Sequence, residues 1–180
     1  MSSARELAMR WRVRLGYPLA VLCLWLAHPT WLSLVCGGAI GLAGLLVRGA
    51  AAGHLRKHEE LATSGPYAFT RNPLYFGSAL LAAGFLVAGR SWIAALLVAI
   101  YFAVFYGAVM RGEESELRAR YGTAFEGYAA RVPLFWPRLK GGRASAAGFS
   151  WASYRRNREY QAALGFAAVL VFLVLRLRFG

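Results

Sequence analysis

Two three-residue connections constrain this chain more than any other feature. His28-Pro29-Thr30 and Gly89-Arg90-Ser91 each join two long apolar runs, and each is followed at once by a tryptophan, Trp31 or Trp92. A link this short lets one helix turn straight back beside another and permits little else. Both pairs therefore read as antiparallel helical hairpins, with the tryptophans where such rings settle, at a membrane interface.

Drawn along the whole chain, the apolar runs number five: residues 13–27, 31–47, 74–88, 92–110 and 160–175. A helix needs about 20 residues, with a range of about 17–25, to cross a bilayer. The second and fourth runs meet that length, whereas the first, third and fifth are short and need flanking residues that snorkel. Composition points the same way, at 58% hydrophobic, 16% charged and a mean hydropathy of +0.44. Soluble domains average about 45–50% apolar and about 25% charged residues. The expected fold class is all-α, a polytopic integral membrane bundle of about five transmembrane helices with a cytoplasmic pocket. One linker-like stretch, 141–150, suggests three parts: an N-terminal transmembrane hairpin (1–50), a core (51–140), and a basic linker with a C-terminal transmembrane helix (141–180). No internal repeat is visible.

Charge sets the orientation. The formal net charge is +13, but the basic residues flank apolar runs, where they meet anionic lipid headgroups rather than nucleic acid. All lysines and arginines except Arg90, Arg176 and Arg178 fall on one side of the predicted membrane. By the positive-inside rule that side is cytoplasmic, with the N-terminus there and the C-terminus outside. A cleaved signal peptide competes for the first run, but no small-x-small site follows it. Cys23 and Cys36 sit inside apolar runs without metal-ligand spacing and read as small core residues, so no metal site is expected. Gly37, Gly41 and Gly44 form a small-residue stripe for close helix packing. A nucleotide loop is the rival, but GxGxxG is absent and no strand precedes it.

The eight acidic residues share the cytoplasmic side. Because 74–88 and 92–110 form a hairpin, Glu59-Glu60 before it and Glu113-Glu114 after it return to one membrane face. Tyr67, Arg71, Asn72 and Tyr75 are thereby brought near Arg111, Glu113 and Glu114, a convergence that makes a candidate site. The plainer reading is a solvated, charge-flanked helix end with snorkelling tyrosines.

The stretch from Leu61 to Gly77, "LATSGPYAFTRNPLYFG", with "RGEESELRARYGTAFEGYAARVPLFWP" from Arg111 to Pro137, resembles the isoprenylcysteine carboxyl methyltransferase family. More broadly it is similar to the integral membrane methyltransferases that include phospholipid methyltransferases. The shared elements run in order as Thr63-Ser64-Gly65-Pro66-Tyr67, Arg71-Asn72-Pro73-Leu74-Tyr75-Phe76-Gly77 and Glu113-Glu114. Leu117, Tyr121-Gly122, Phe125, Tyr128, Val132-Pro133 and Pro137 complete them. The family usually has histidine where Asn72 stands, and most members end soon after the position of Pro137.

The resemblance implies S-adenosylmethionine as methyl donor, bound at the cytoplasmic face. Its implied contacts are Glu59, Glu60, Leu61 and Ala62 on the approach, Tyr67, then Asn72, Pro73, Leu74 and Tyr75, and Glu113 after the hairpin. It also implies an arginine near the acceptor, for which Arg111 is the nearest candidate. The chemistry suits these residue types. A carboxylate favours the sulfonium cation and accepts from ribose or amino groups, and tyrosine faces offer cation–π contact. Pro73 starts a helix whose first-turn N–H groups can meet an anion or an adenine acceptor. An arginine can orient a carboxylate acceptor in bidentate fashion. An amine or thiol acceptor needs a base instead, Glu114 or His58. His28 and His54 read as interfacial. The expected partners are a lipid-like methyl acceptor and membrane lipids. The alternatives are an NADPH-dependent membrane reductase with a related helical cofactor site, and a non-catalytic membrane adaptor retaining the fold.

Overall fold

The computed structural model describes residues 2–56, 59–138 and 148–179, with side chains at Trp11 and from Arg14 onward. The chain is helical, and no strand occurs among the described residues. Short turns join α1 (Ser2–Trp25) to α2 (Trp31–His54) and α3 (Pro73–Gly89) to α4 (Trp92–Tyr121), and a 3-10 turn (Gly65–Ala68) precedes α3. The short α5 (Thr123–Ala129) and α6 (Trp151–Arg156) follow, then α7 (Tyr160–Phe179).

The hairpin turns are short because their own residues cap the helices. Thr30 and Ser33 form a reciprocal capping box at the start of α2, which satisfies two N–H groups otherwise left orphaned. The Ser91 hydroxyl accepts from the Ala94 N–H to open α4, and Arg90 closes α3 in the left-handed region at φ 52°. The two turns abut: the His28 N–H donates to the Gly89 carbonyl at 2.7 Å, and the Ser33 hydroxyl donates to the Ala88 carbonyl at 2.9 Å. Arg176 joins them from α7, donating to the Leu24 and Trp25 carbonyls at 3.1 and 2.7 Å. One end of the bundle thus gathers both turns with Arg90 and Arg176. The start of α3, the end of α2 and the acidic pairs lie at the other end.

Between the ends, α2 and α3 pack backbone to backbone. A Cβ at Gly37 would strike the Gly84 carbonyl, one at Gly44 the Gly77 carbonyl, and one at Gly84 the backbone of Gly37 and Gly41. The stripe read from α2 therefore has a matching stripe, Gly77 and Gly84, on α3. Gly41 also admits Phe166 of α7, which lies 2.5 Å from where its Cβ would stand. Helix α1 packs on α4.

Among the described residues three helices, α2, α4 and α7, are long and apolar enough to cross a membrane, while the apolar part of α1 (Arg14–Trp25) and α3 are shorter. The second and fourth runs thus reach spanning length and the first and third are short, as their lengths in the sequence imply. The fifth run is a correction: its helix does not stop at Leu175 but reaches 20 residues, because Arg176 turns back to α1 instead of ending it. Bare apolar side chains such as Leu32, Val35, Ile100 and Val171 face outward, as lipid solvent allows. Cys36 shares that outward face and is exposed, so the core assignment holds only for the buried Cys23.

Helix α4 continues past residue 110 to Tyr121, a projection of about 16 Å at 1.5 Å per residue. The acidic pair therefore sits within the helix, not after it. Helix α5 folds back to bury Phe125 and Tyr128 with Val132 against Leu61, Leu117 and Tyr121, a small second core beyond the span.

Candidate active site

Pro73 opens α3 and disfavours helix at the residue before it, so residues 64–72, apart from the 3-10 turn at Gly65–Ala68, need other partners for their backbone. Residues 132–138 supply them. The Arg71 N–H donates to the Pro133 carbonyl at 2.9 Å, and the Arg138 N–H donates to the Phe69 carbonyl at 3.0 Å. The Thr70 hydroxyl donates to the Phe135 carbonyl at 2.9 Å, the Asn72 side-chain amide to the Leu134 carbonyl at 3.0 Å, and the Tyr128 hydroxyl to the Tyr67 carbonyl at 2.8 Å. Asn72 is buried, and its amide holds two loops together.

Above this clamp opens a cavity of about 940 Å³. Glu60, Leu61, Ala62, Tyr67, Asn72, Pro73, Leu74 and Tyr75 line it from one side, and Glu113 and Glu114 from α4. The Tyr75 hydroxyl donates to the Glu113 carboxylate, so the two ends of the hairpin touch. The Tyr75 ring stands edge-on to Tyr106 with centroids 5.4 Å apart, and Tyr106 stacks on Phe102 at 4.0 Å. Beside them Arg71 and Glu114 form an ion pair with both side chains 16% exposed. The Arg71 Nε is buried without a hydrogen-bond partner among the described residues. Farther along, the cavity is walled by Gly16, Tyr17 and Ala20 of α1 and Tyr101 of α4, so its far part runs between apolar helices.

Two candidates stand apart from this cavity. Glu59 pairs with Arg156 at 2.6 Å on the surface, drawn there by the basic turn of α6. Arg111 is exposed and does not line the cavity; two residues from Glu113 on a helix means a rotation of about 200°, which sends it to the opposite face. Arg111 is therefore not brought to the acidic pair's site; of the arginines that line the cavity, Arg71 is the one paired with Glu114. Glu60 makes a loose pair with Arg56 at 3.4 Å. His58 lies outside the described residues.

Tyr67 and Tyr128 are buried, and loss of solvation pushes both phenols well above their usual range. The charge of Glu113 adds to this at Tyr67, while Arg71 partly offsets it at Tyr128. Both hydroxyls stay protonated at neutral pH, and that of Tyr128 donates to the Tyr67 carbonyl. The cavity thus combines carboxylates, aromatic faces, the N-terminus of α3 and an apolar extension. Such a set can hold a cation with polar substituents beside a long apolar group.

Arg48, Ser78 and Glu159 were not singled out by sequence reasoning. Arg48 lines the cavity, donates to the Ser78 hydroxyl at 2.5 Å, and pairs with Glu159 at 2.5 Å. A signal existed: Arg48 is a lone charge in the uncharged run 37–53, and such a charge needs a partner.

The family model for phospholipid methyltransferase matches residues 11–124, from α1 into the start of α5. The chain belongs to the phospholipid methyltransferase family. It is also 35% identical over 138 residues to the nickel-cobalt-cadmium resistance protein NccN of Alcaligenes xylosoxydans xylosoxydans, covering 72% of this chain and 63% of that protein. A similar relative is the cobalt-zinc-cadmium resistance protein CzcN of Cupriavidus metallidurans, 34% identical over 138 residues, covering 72% and 62%. The matches thus span less than two thirds of the length of these relatives. No solved structure matches the chain. Membership in this methyltransferase-type family, with three helices able to span, makes the chain an integral membrane protein.

Proposed function

We propose that the cavity binds S-adenosylmethionine and that the chain transfers its methyl group to a lipid-like acceptor. The observation that carries this is the continuity of one cavity from the polar pair Tyr75–Glu113 to the apolar wall at Gly16 and Ala20. Its volume lies at the upper end of the roughly 300–1,000 Å³ of small-molecule sites, which leaves room for donor and acceptor headgroup together. Glu113, Tyr67 and Tyr75 would face the sulfonium and adenosine, and the start of α3 the donor's carboxylate. Glu60, Leu61, Ala62, Asn72, Pro73 and Leu74 complete the wall.

The transfer is an in-line displacement: the acceptor's lone pair forms the new bond to the methyl carbon as the carbon–sulfur bond breaks. The sulfonium leaves as a neutral thioether. Holding the two groups in line supplies much of the rate. With a carboxylate acceptor, opposite charges vanish in the transition state and no base is needed, and Arg71 stands where a guanidinium could orient it. With an amine, the proton passes to Glu114. The basic residues at this end favour a cytosolic site with the acceptor entering from the bilayer. The relatives' names add a setting: methylation of a lipid headgroup would change the charge or hydrogen bonding that divalent metals meet at the membrane.

Incubating membranes that contain the chain with methyl-labelled donor, then extracting lipids, tests the reading. Label in a lipid fraction, lost with Glu113→Gln, is expected. Label that reaches tail-free acceptors equally well would remove the lipid-like acceptor, and no transfer at all would favour the adaptor alternative.

A further inference from the structure

The ion pair of half-buried Arg48 with buried Glu159, beside α3, has no part in the proposed reaction. Arg48 presents its guanidinium in two directions. Toward α7, Nε and one terminal nitrogen donate to the two Glu159 oxygens at 2.5 and 2.9 Å. Toward α3, the other terminal nitrogen donates to the Ser78 hydroxyl at 2.5 Å and reaches the Leu74 carbonyl at 3.4 Å. Ser78 in turn donates to Leu74 at 2.9 Å. The Glu159 side chain is 5% exposed and that of Arg48 is 23% exposed, yet Arg48, Leu74 and Ser78 all line the cavity.

Glu159 is delivered by a built corner. The Asn157 amide donates to the Ala52 and Leu55 carbonyls at 2.9 and 3.0 Å, closing the end of α2. The Ser150 N–H donates to the Gly53 carbonyl at 2.9 Å, and Arg158 takes a left-handed turn at φ 53° before α7 begins. The residues that build this corner on α2, Ser150, Asn157, Arg158 and Glu159, lie beyond the residues 11–124 that match the family, while the carbonyls they hold lie within them.

We propose that Glu159 and Arg48 are positioning residues of the donor pocket, so that the segment after the family-matched region completes the site. The inference rests on the donor reading above and extends it. Arg48 braces the first turn of α3 from behind. A bare guanidinium in that wall would repel a sulfonium, and Glu159 cancels its charge while keeping its hydrogen bonds. The pocket can then hold a cationic donor beside an arginine.

The test titrates S-adenosylmethionine, a cation at sulfur, and S-adenosylhomocysteine, neutral at sulfur, into the full chain in detergent. Wild type, Glu159→Gln and the double variant Arg48→Gln/Glu159→Gln are compared. Glu159→Gln should lose about tenfold more affinity for the sulfonium than for the thioether, the effect of one unit charge acting across roughly 10 Å of protein. The double variant should restore that ratio while binding both ligands more weakly than wild type, because the brace on Leu74 and Ser78 is gone. Should Glu159→Gln fail to fold, the double variant leaves no buried charge unpaired and its affinities decide alone. Wild-type affinities in the double variant, or equal losses for both ligands in Glu159→Gln, would overturn the proposal. Wild type binding neither ligand would instead overturn the methyltransferase reading.

Discussion

Glu113 carries a double burden: it accepts from Tyr75 across the hairpin and presents negative charge to the cavity. Hydrogen bonds to charged groups contribute about 1.5–3 kcal/mol. Glu113→Gln should therefore weaken S-adenosylhomocysteine binding by about tenfold to a hundredfold by calorimetry, with Tyr75→Phe losing less. Arg111→Ala, on the opposite face of α4, should change it by no more than about twofold. The buried phenols give a pH prediction. Unfolded tyrosine ionises near about pH 10, whereas folded Tyr67 and Tyr128 hold their protons higher. Above that pH the folded state keeps protons that the unfolded state releases, so stability falls. Thermal melts should show no phenol-linked loss below about pH 10 and a decline above it; an unchanged midpoint there would contradict the burial of both hydroxyls. Tyr67, Asn72, Tyr75 and Glu113 were legible in the sequence because they fall within one compact run and one acidic pair. Arg48 and Glu159 were not, since partners 111 residues apart leave no local pattern.

Helix α2 depends on α3 more than on any other helix, through glycines that admit backbone where a side chain would stand. Gly84→Leu should destabilise the packing of α2 on α3 by about 1–3 kcal/mol or more, the range for overpacking a tight contact. A detergent melt reads it, and an unchanged midpoint would mean that the two backbones are not this close. Half of this contact was visible beforehand as Gly37, Gly41 and Gly44; the other half, Gly77 and Gly84, is spaced too widely to stand out in an apolar run. The hairpin turns were legible because short links leave few options. Helix ends were less so, for a physical reason: where hydrophobicity stops, helix propensity need not. The stretch "EESELRAR" after the apolar part of α4 is rich in strong helix formers, so the helix runs on and carries Glu113 and Glu114 with it.

The whole molecule has two unlike ends, one closed by the abutting turns, the other opened by the cavity. If the cavity end is cytosolic, a membrane-impermeant maleimide applied to intact cells should modify Ser91→Cys and spare Gly127→Cys, both in a background lacking Cys23 and Cys36. The reverse pattern would invert the bundle. Architecture was legible from apolar runs and turn lengths, but the docking of the C-terminal segment onto α2 was not, because it rests on Asn157, Glu159 and carbonyls at a helix end. The central claim is that the hairpin's two open ends jointly hold a methyl donor. Calorimetric titration of the purified chain with S-adenosylhomocysteine, and separately with NADPH, tests it most directly. Saturable one-to-one binding of the first and none of the second is predicted; binding of NADPH, or of neither, would contradict it.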